Sequence, residues 1–239
     1  MYTTFYDHII VGGTYGAIGF YAGNTGNNLI ISKNIYIEDH SPAFRFGKTS
    51  YRTKAGEILY KKLEIQNGIA NTAQASIEMY KIADIENWNI LYQTFVSSIE
   101  KYEDGWRVTA HNWDGTSMIN CKNVIHTQPV GKIERKTFNA LVEGDVLTGV
   151  YIGYSISDAF HTGQKVLKLN VGVNDTMDTA RLNLLKLIHN DELKNLRLIL
   201  TATEFDYQVS GWDINEIPSC NYENLIESFE KGYEIGAAL

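Results

Sequence analysis

The chain has 239 residues, 44% apolar and 21% charged, with 28 acidic against 21 basic side chains and a formal net charge of −7. That length fits one large domain or two small ones, with enough chain to bury a core unaided, and the composition excludes a disordered or fibrous protein. An acidic chain with no basic run is a poor nonspecific nucleic-acid binder, and two cysteines outside any CxxC form no zinc cluster and point to a reducing compartment.

Residues 1–8, MYTTFYDH, carry no Lys or Arg, and the apolar run after them is broken by Gly12 and Gly13. A secretory leader needs a basic start and an unbroken apolar stretch, so a cytoplasmic protein is expected. No segment approaches the ~18 continuous apolar residues of a membrane span.

His8–Val11 reads as a short buried strand running into Gly12-Gly13-Thr14-Tyr15-Gly16-Ala17. A helix is expected from there to about Gly23, then a polar turn over 24–28, then a second buried strand, LIIS, at 29–32. Strand, glycine turn, helix and strand within about 25 residues make a βαβ unit, and continuous apolar runs suit strands covered on both faces. Residues 33–56 show no period and read as loop. Ile58, Leu59, Leu63 and Ile65 have helical spacing, and 72–82 is a further helix candidate. From 90 the pattern turns to strands: ILYQTFVSSIEKY, a hairpin signal at Asp104-Gly105, WRVTAHNW, a second signal at Asp114-Gly115, then SMINCKNVIHT. In the last hundred residues 147–156 and 165–173 read as strands and 179–191 as an amphipathic helix. Residues 196–213 read as one or two strands, and the end as a helix with Asn221 as N-cap.

The glycine turn carries the chemistry. Phosphate binds where free N–H groups point out of a helix N-terminus and glycine lets the backbone come close. Gly12 supplies the tight turn; Thr14 stands where GxGxxG has its second glycine, and Ala17 where it has its third. The flanking strands and helix provide the context that a lone motif lacks.

These residues resemble the opening of the FAD/NAD(P)-binding flavoprotein superfamily, whose first strand runs into a glycine-rich turn of the type hhhVGGGxAG. Thr94-Phe95-Val96 followed by Ile99 is similar to that family's adenine-contacting strand, and DGWRV with the strands after it to its three-stranded meander. Thr127-Gln128-Pro129 stands where the family has an alanine-threonine-glycine turn, and Gly211-Trp212-Asp213 resembles its last flavin contact. The resemblance implies an α/β fold: a Rossmann-like parallel sheet with a β-meander insertion and a small cap. It implies a single domain with a cofactor core at 1–34, 89–131 and 206–239, and cap segments at 35–88 and 132–205. It implies FAD as cofactor and an oxidoreductase passing a hydride from a small organic substrate to the flavin. The cofactor contacts it implies are Gly12, Gly13, Thr14, Tyr15, Gly16, Ala17, Ser32, Lys33, Val96, Thr127 and Asp213. One departure is chemical. The acid expected at the end of the second strand, which grips the adenosine ribose, is Ser32, followed by Lys33. That pair is kinder to a 2′-phosphate, so NADP stands as the alternative cofactor, and a noncatalytic sensor or partner subunit as the alternative function.

Asp158 is a rival to Asp213. Arg45, Lys48 and Arg52 are candidates for a pyrophosphate or an acidic substrate, with a solvated face as the plainer reading. Tyr15, Tyr36, Phe44, Phe46 and Trp212 are aromatic candidates near the cofactor. The six histidines have no HxxxH or HxH spacing, so no metal site is expected; His126, beside the presumed turn, is the one to test first. Cys121 and Cys220 read as two ordinary buried thiols. No GxSxG, P-loop or carboxylate pair identifies a catalytic residue. The expected partner is a small-molecule substrate, with a homo-oligomer or a partner subunit as further options.

Overall fold

The structure, a computed structural model, describes residues 5–35, 51–63, 72–127, 132–190, 193–203, 205–210 and 225–239. The expectations for Tyr36, Phe44, Arg45, Phe46, Lys48, Gln128, Pro129, Gly211, Trp212, Asp213, Cys220 and Asn221 fall outside these residues.

The sequence's first apolar run becomes β1 (Phe5–Val11), whose last four residues are buried. It pairs in parallel with β2 (Asn28–Ile31) and with the end of β6 (Gly115–His126); β3 (Ile90–Leu91) extends the sheet beyond β2. The order is β3-β2-β1-β6-β5-β4, with β4 (Phe95–Tyr102) and β5 (Gly105–Asn112) antiparallel. The expected α/β fold, with a Rossmann-like parallel sheet and an inserted meander, is what the chain adopts. The two hairpin signals mark real turns, where Tyr102 pairs with Gly105 and Asn112 with Gly115.

Alternation along the strands builds two cores. Ile10, Ile30 and Ile125 face the helical layer: α1 (Tyr15–Gly23), α2 (Lys54–Lys62), α3 (Thr72–Ile85) and α5 (Leu225–Ala238). Ile9, Val11, Leu29 and Ile31 face the meander, packing on Val108, Ala110 and Cys121. Helices α1 and α5 cross at backbone contact. A Cβ at Gly19 would collide with the Phe229 carbonyl, and one at Gly232 with that of Gly16.

The stretch 90–102, expected as one strand, is broken. Gln93 takes a positive φ of 49°, and Thr94 N–H donates to Ser32 O at 2.9 Å. The break moves the chain from the parallel sheet into the meander. Residues 147–156 also split, into β8 (Gly149–Val150) and β9 (Tyr154–Asp158), at Gly153, where φ is +85°.

Residues 132–210 form a second sheet, β11-β7-β10-β9-β8, with β12 (Asp206–Ser210) also pairing β7. β10 is Gln164–Asn170 and β11 is Arg197–Thr201. Its central strand, β7 (Lys132–Glu143), has no counterpart in the sequence-based expectations. Five consecutive residues, Lys136–Ala140, are buried there, and three are polar, which hides the apolar run of a covered strand. Lys136 is held by its surroundings. Its ammonium donates to Val173 O (3.1 Å) and Asp175 O (2.6 Å) and lies 3.8 Å from the Phe205 ring centre. Burial lowers its pKa, against the opposing pull of Asp175. Helix α4 (Met177–Ile188) covers one face of this sheet through Leu184 and Ile188.

Cys121 is buried in the meander core, and burial pushes its thiol up to about 11. At pH 8 about one part in a thousand is thiolate, so it is chemically inert. In a Cys220→Ser variant, iodoacetamide should modify the folded protein far more slowly than glutathione, with a rate rising as pH climbs toward 11. Modification at the rate of free thiol would contradict this burial. Among the described residues no helix is long and apolar enough to cross a membrane, and no three His, Cys, Asp or Glu side chains group as metal ligands.

Candidate functional site

The parallel strands end together. β1 stops at Val11, β2 at Ile31, β3 at Leu91, and β6 at His126, which pairs with Val11. In an open α/β sheet ligands bind outside these carboxyl ends. Gly12 leaves β1 with a φ of +114°, a region that side chains resist, and its N–H donates to Ile31 O at 2.9 Å. Thr14 is the N-cap of α1, accepting from Ala17 N–H at 3.3 Å. The hydroxyl at the non-glycine position is therefore turned onto the helix end. Tyr15, Gly16 and Ala17 are buried in its first turn, which carries no acid to oppose an incoming anion.

Thr127 lies against the same turn. Its N–H donates to Val11 O at 2.9 Å and its hydroxyl to Gly12 O at 2.8 Å. It holds the carbonyl of the residue at positive φ. Ser32 is buried just beyond β2 and turned to Asn34, whose N–H donates to its hydroxyl at 3.2 Å. Lys33 is exposed. Val96, half-buried, packs with the cluster that holds Val11 and Ile31. Gly12, Gly13, Thr14, Tyr15, Gly16, Ala17, Ser32, Lys33 and Thr127 thus share one end of the parallel sheet. The meander brings Val96 against the strands that end there.

Arg52 goes elsewhere. Its guanidinium lies 3.3 Å from Glu230 and 3.1 Å from Glu234, and the backbone N–H groups of Arg52 and Thr53 donate to the buried Glu230 carboxylate. Sequence reasoning missed Glu230 because it reads as a surface acid on a charged helix. It also missed the crossing glycines of α1 and α5, although Gly232 and Gly236 at four-residue spacing were a visible signal.

The residues fit a dinucleotide at its phosphate end: a helix N-terminus, a glycine at positive φ, and a threonine bracing the turn. At the end of β2 the side chain is a hydroxyl engaged with Asn34, not a carboxylate.

No protein-family model matches the chain, and no curated protein matches it. Solved structures do. CabE, an aromatic hydroxylase from angucycline biosynthesis, is 10% identical with a TM-score of 0.61, over 98% of this chain and 62% of that one. The p-nitrophenol 4-monooxygenase of Pseudomonas putida DLL-E4 is 10% identical with a TM-score of 0.63, over 98% and 79%. A geranylgeranyl bacteriochlorophyll reductase-like protein from Thermoplasma acidophilum is 13% identical with a TM-score of 0.63, over 98% and 78%. The chain spans about three fifths of CabE and about four fifths of the other two. These likenesses show the fold: a Rossmann-type α/β fold shared with a solved hydroxylase, a monooxygenase and a reductase-like protein.

Proposed function

We propose that this chain is an FAD-dependent oxidoreductase acting on a small organic molecule. The observation that carries the reading is the β1–α1 turn, with Gly12 at a φ of +114°, Thr14 capping the helix and Thr127 holding the Gly12 carbonyl. The N-terminus of α1 binds the pyrophosphate through its N–H groups and the positive end of its dipole. Thr14 holds the first turn in shape, and the covering segments orient the substrate and exclude water. Bound there, FAD supplies a hydride acceptor. One observation favours a second reading, a dinucleotide-binding protein without turnover: Ser32 carries no ribose carboxylate, and its hydroxyl is tied to Asn34.

The test is colour. Purified protein, alone or after incubation with FAD, should absorb near ~450 nm. Gly12→Val should abolish uptake, since a branched residue at that φ is strained by about 1–3 kcal/mol and blocks the approach. A colourless wild-type protein that takes up no FAD overturns the proposal. A yellow protein that oxidises neither NADH nor NADPH with any electron acceptor or substrate offered supports the second reading.

A further inference from the structure

The helical layer holds a cavity that the glycine turn does not use. The backbones of α1 and α5 lie against each other along their length, but those of α1 and α3 do not. Between α1, α2 and α3 is an opening of about 440 Å³. It extends to Asn24 and Thr25, beyond the C-terminal end of α1, whereas the glycine turn lies at that helix's N-terminus. Packed interiors leave few voids larger than a water molecule. This opening instead falls within the size of small-molecule sites, about 300–1,000 Å³.

The lining specifies a ligand. Ile18, Leu59, Met79 and Ile82 make apolar walls. One wall is aromatic. Asn87, at a φ of 52°, turns the chain after α3, and Trp88 N–H returns to Ala83 O at 2.9 Å. Trp88 then lines the cavity, stacked on Tyr21 with ring centres 5.0 Å and planes 29° apart. Asn89 N–H donates to the Tyr21 hydroxyl at 3.1 Å and fixes that ring. Two exposed charges complete the lining: Lys62, the last residue of α2, and Glu86, just past α3. On the same helices Lys54 and Lys61 pair with Glu57, and Lys81 with Glu78. Among the described residues Lys62 and Glu86 pair neither with each other nor with another charge. An aromatic wall takes a flat ring, and an unpaired cation and anion on one cavity match a zwitterion.

We propose that this cavity binds an aromatic α-amino acid, with its ring against the Tyr21–Trp88 pair, its carboxylate on Lys62 and its ammonium on Glu86. The site stands apart from the oxidoreductase reading and does not depend on it. L-Phenylalanine is titrated into the full chain, with and without FAD, and followed by thermal melting and tryptophan fluorescence. It should raise the melting temperature equally in both cases and shift the emission, and Trp88→Phe should lose the emission change. 3-Phenylpropionate, which lacks the ammonium, and phenethylamine, which lacks the carboxylate, should each bind about tenfold or more weakly, the scale of one charge-assisted contact. Lys62→Met should weaken phenylalanine by the same factor and leave phenethylamine unchanged. Glu86→Gln should weaken phenylalanine likewise and leave 3-phenylpropionate unchanged. Ala22→Trp, which fills the cavity from an exposed position on α1, should abolish binding at an unchanged urea midpoint. No response to phenylalanine at millimolar concentration overturns the proposal, as does equal binding by wild type, Lys62→Met and Glu86→Gln. Competition between phenylalanine and FAD would move the ligand to the glycine turn and also overturns it. So does a wild-type dimer that Ile58→Glu splits, since a second copy would then fill the cavity.

Discussion

Gly19→Ala should lower the free energy of unfolding by about 3 kcal/mol, the upper range for forcing one methyl into a filled space. Alanine is a better helix former than glycine by about 1 kcal/mol, so local propensity predicts the opposite sign. The contact decides. The added Cβ would collide with the backbone of Phe229, which cannot rotate away as a side chain can. The same crossing brings Gly23 against Tyr233 and Gly236 against Phe20, so relief at one point requires the helices to part along their length. Parting them loosens Ile18, Phe20, Leu225, Ile226 and Phe229, the centre of the helical core. It also moves the N-terminus of α1, so FAD uptake should weaken with stability. Urea denaturation reads the first effect as a lower midpoint at unchanged slope. Gly149→Ala is the control, because a Cβ there meets only the Tyr151 ring, at an ordinary 3.6 Å. A wild-type midpoint for Gly19→Ala would mean that the helices do not cross at backbone contact.

What could be read in the sequence and what could not divide along physical lines. The β1–α1–β2 unit was legible because its signals are local: an apolar run, a turn that only glycine makes easily, and a second apolar run. The meander was legible because Asp-Gly marks its two turns. The strand β7 was not, because Lys136, Thr137 and Asn139 are buried by partners far along the chain, such as the Val173 and Asp175 carbonyls that receive the lysine. At the site, positions could be assigned but partners could not. Position 32 was legible as the end of the second strand, yet only the structure ties its hydroxyl to Asn34. Thr127 was legible as the residue after the third meander strand, but its bond to the Gly12 carbonyl depends on the parallel pairing of β1 with β6. Arg52 read as a free cation because its acids, Glu230 and Glu234, lie at the other end of the chain.

Those acids give the other large effect. Glu230→Ala should cost about 3 kcal/mol, because it strips the buried acceptor from two part-buried backbone donors, at about 1–3 kcal/mol each. Glu230 is wholly buried on α5 and receives Arg52 N–H, Thr53 N–H at 2.5 Å and the Arg52 Nε at 3.3 Å. Thr53 is the N-cap of α2 and itself accepts from Gly56 N–H at 2.9 Å, so the carboxylate completes a helix start that the threonine alone leaves open. Gly56 has no side chain where the Glu230 carboxylate approaches. Glu230→Gln keeps an oxygen for the backbone donors but turns an amide toward the arginine, so a loss of about half as much is expected. Glu234→Gln, at the exposed end of the same arginine, should change stability by no more than about 0.5 kcal/mol. Urea denaturation ranks the three variants, and hydrogen exchange locates the damage, with the amides of 55–62 in Glu230→Ala losing protection before those of α1. If Glu230→Ala matched Glu234→Gln in both measurements, the carboxylate would not be what fastens α2 to α5.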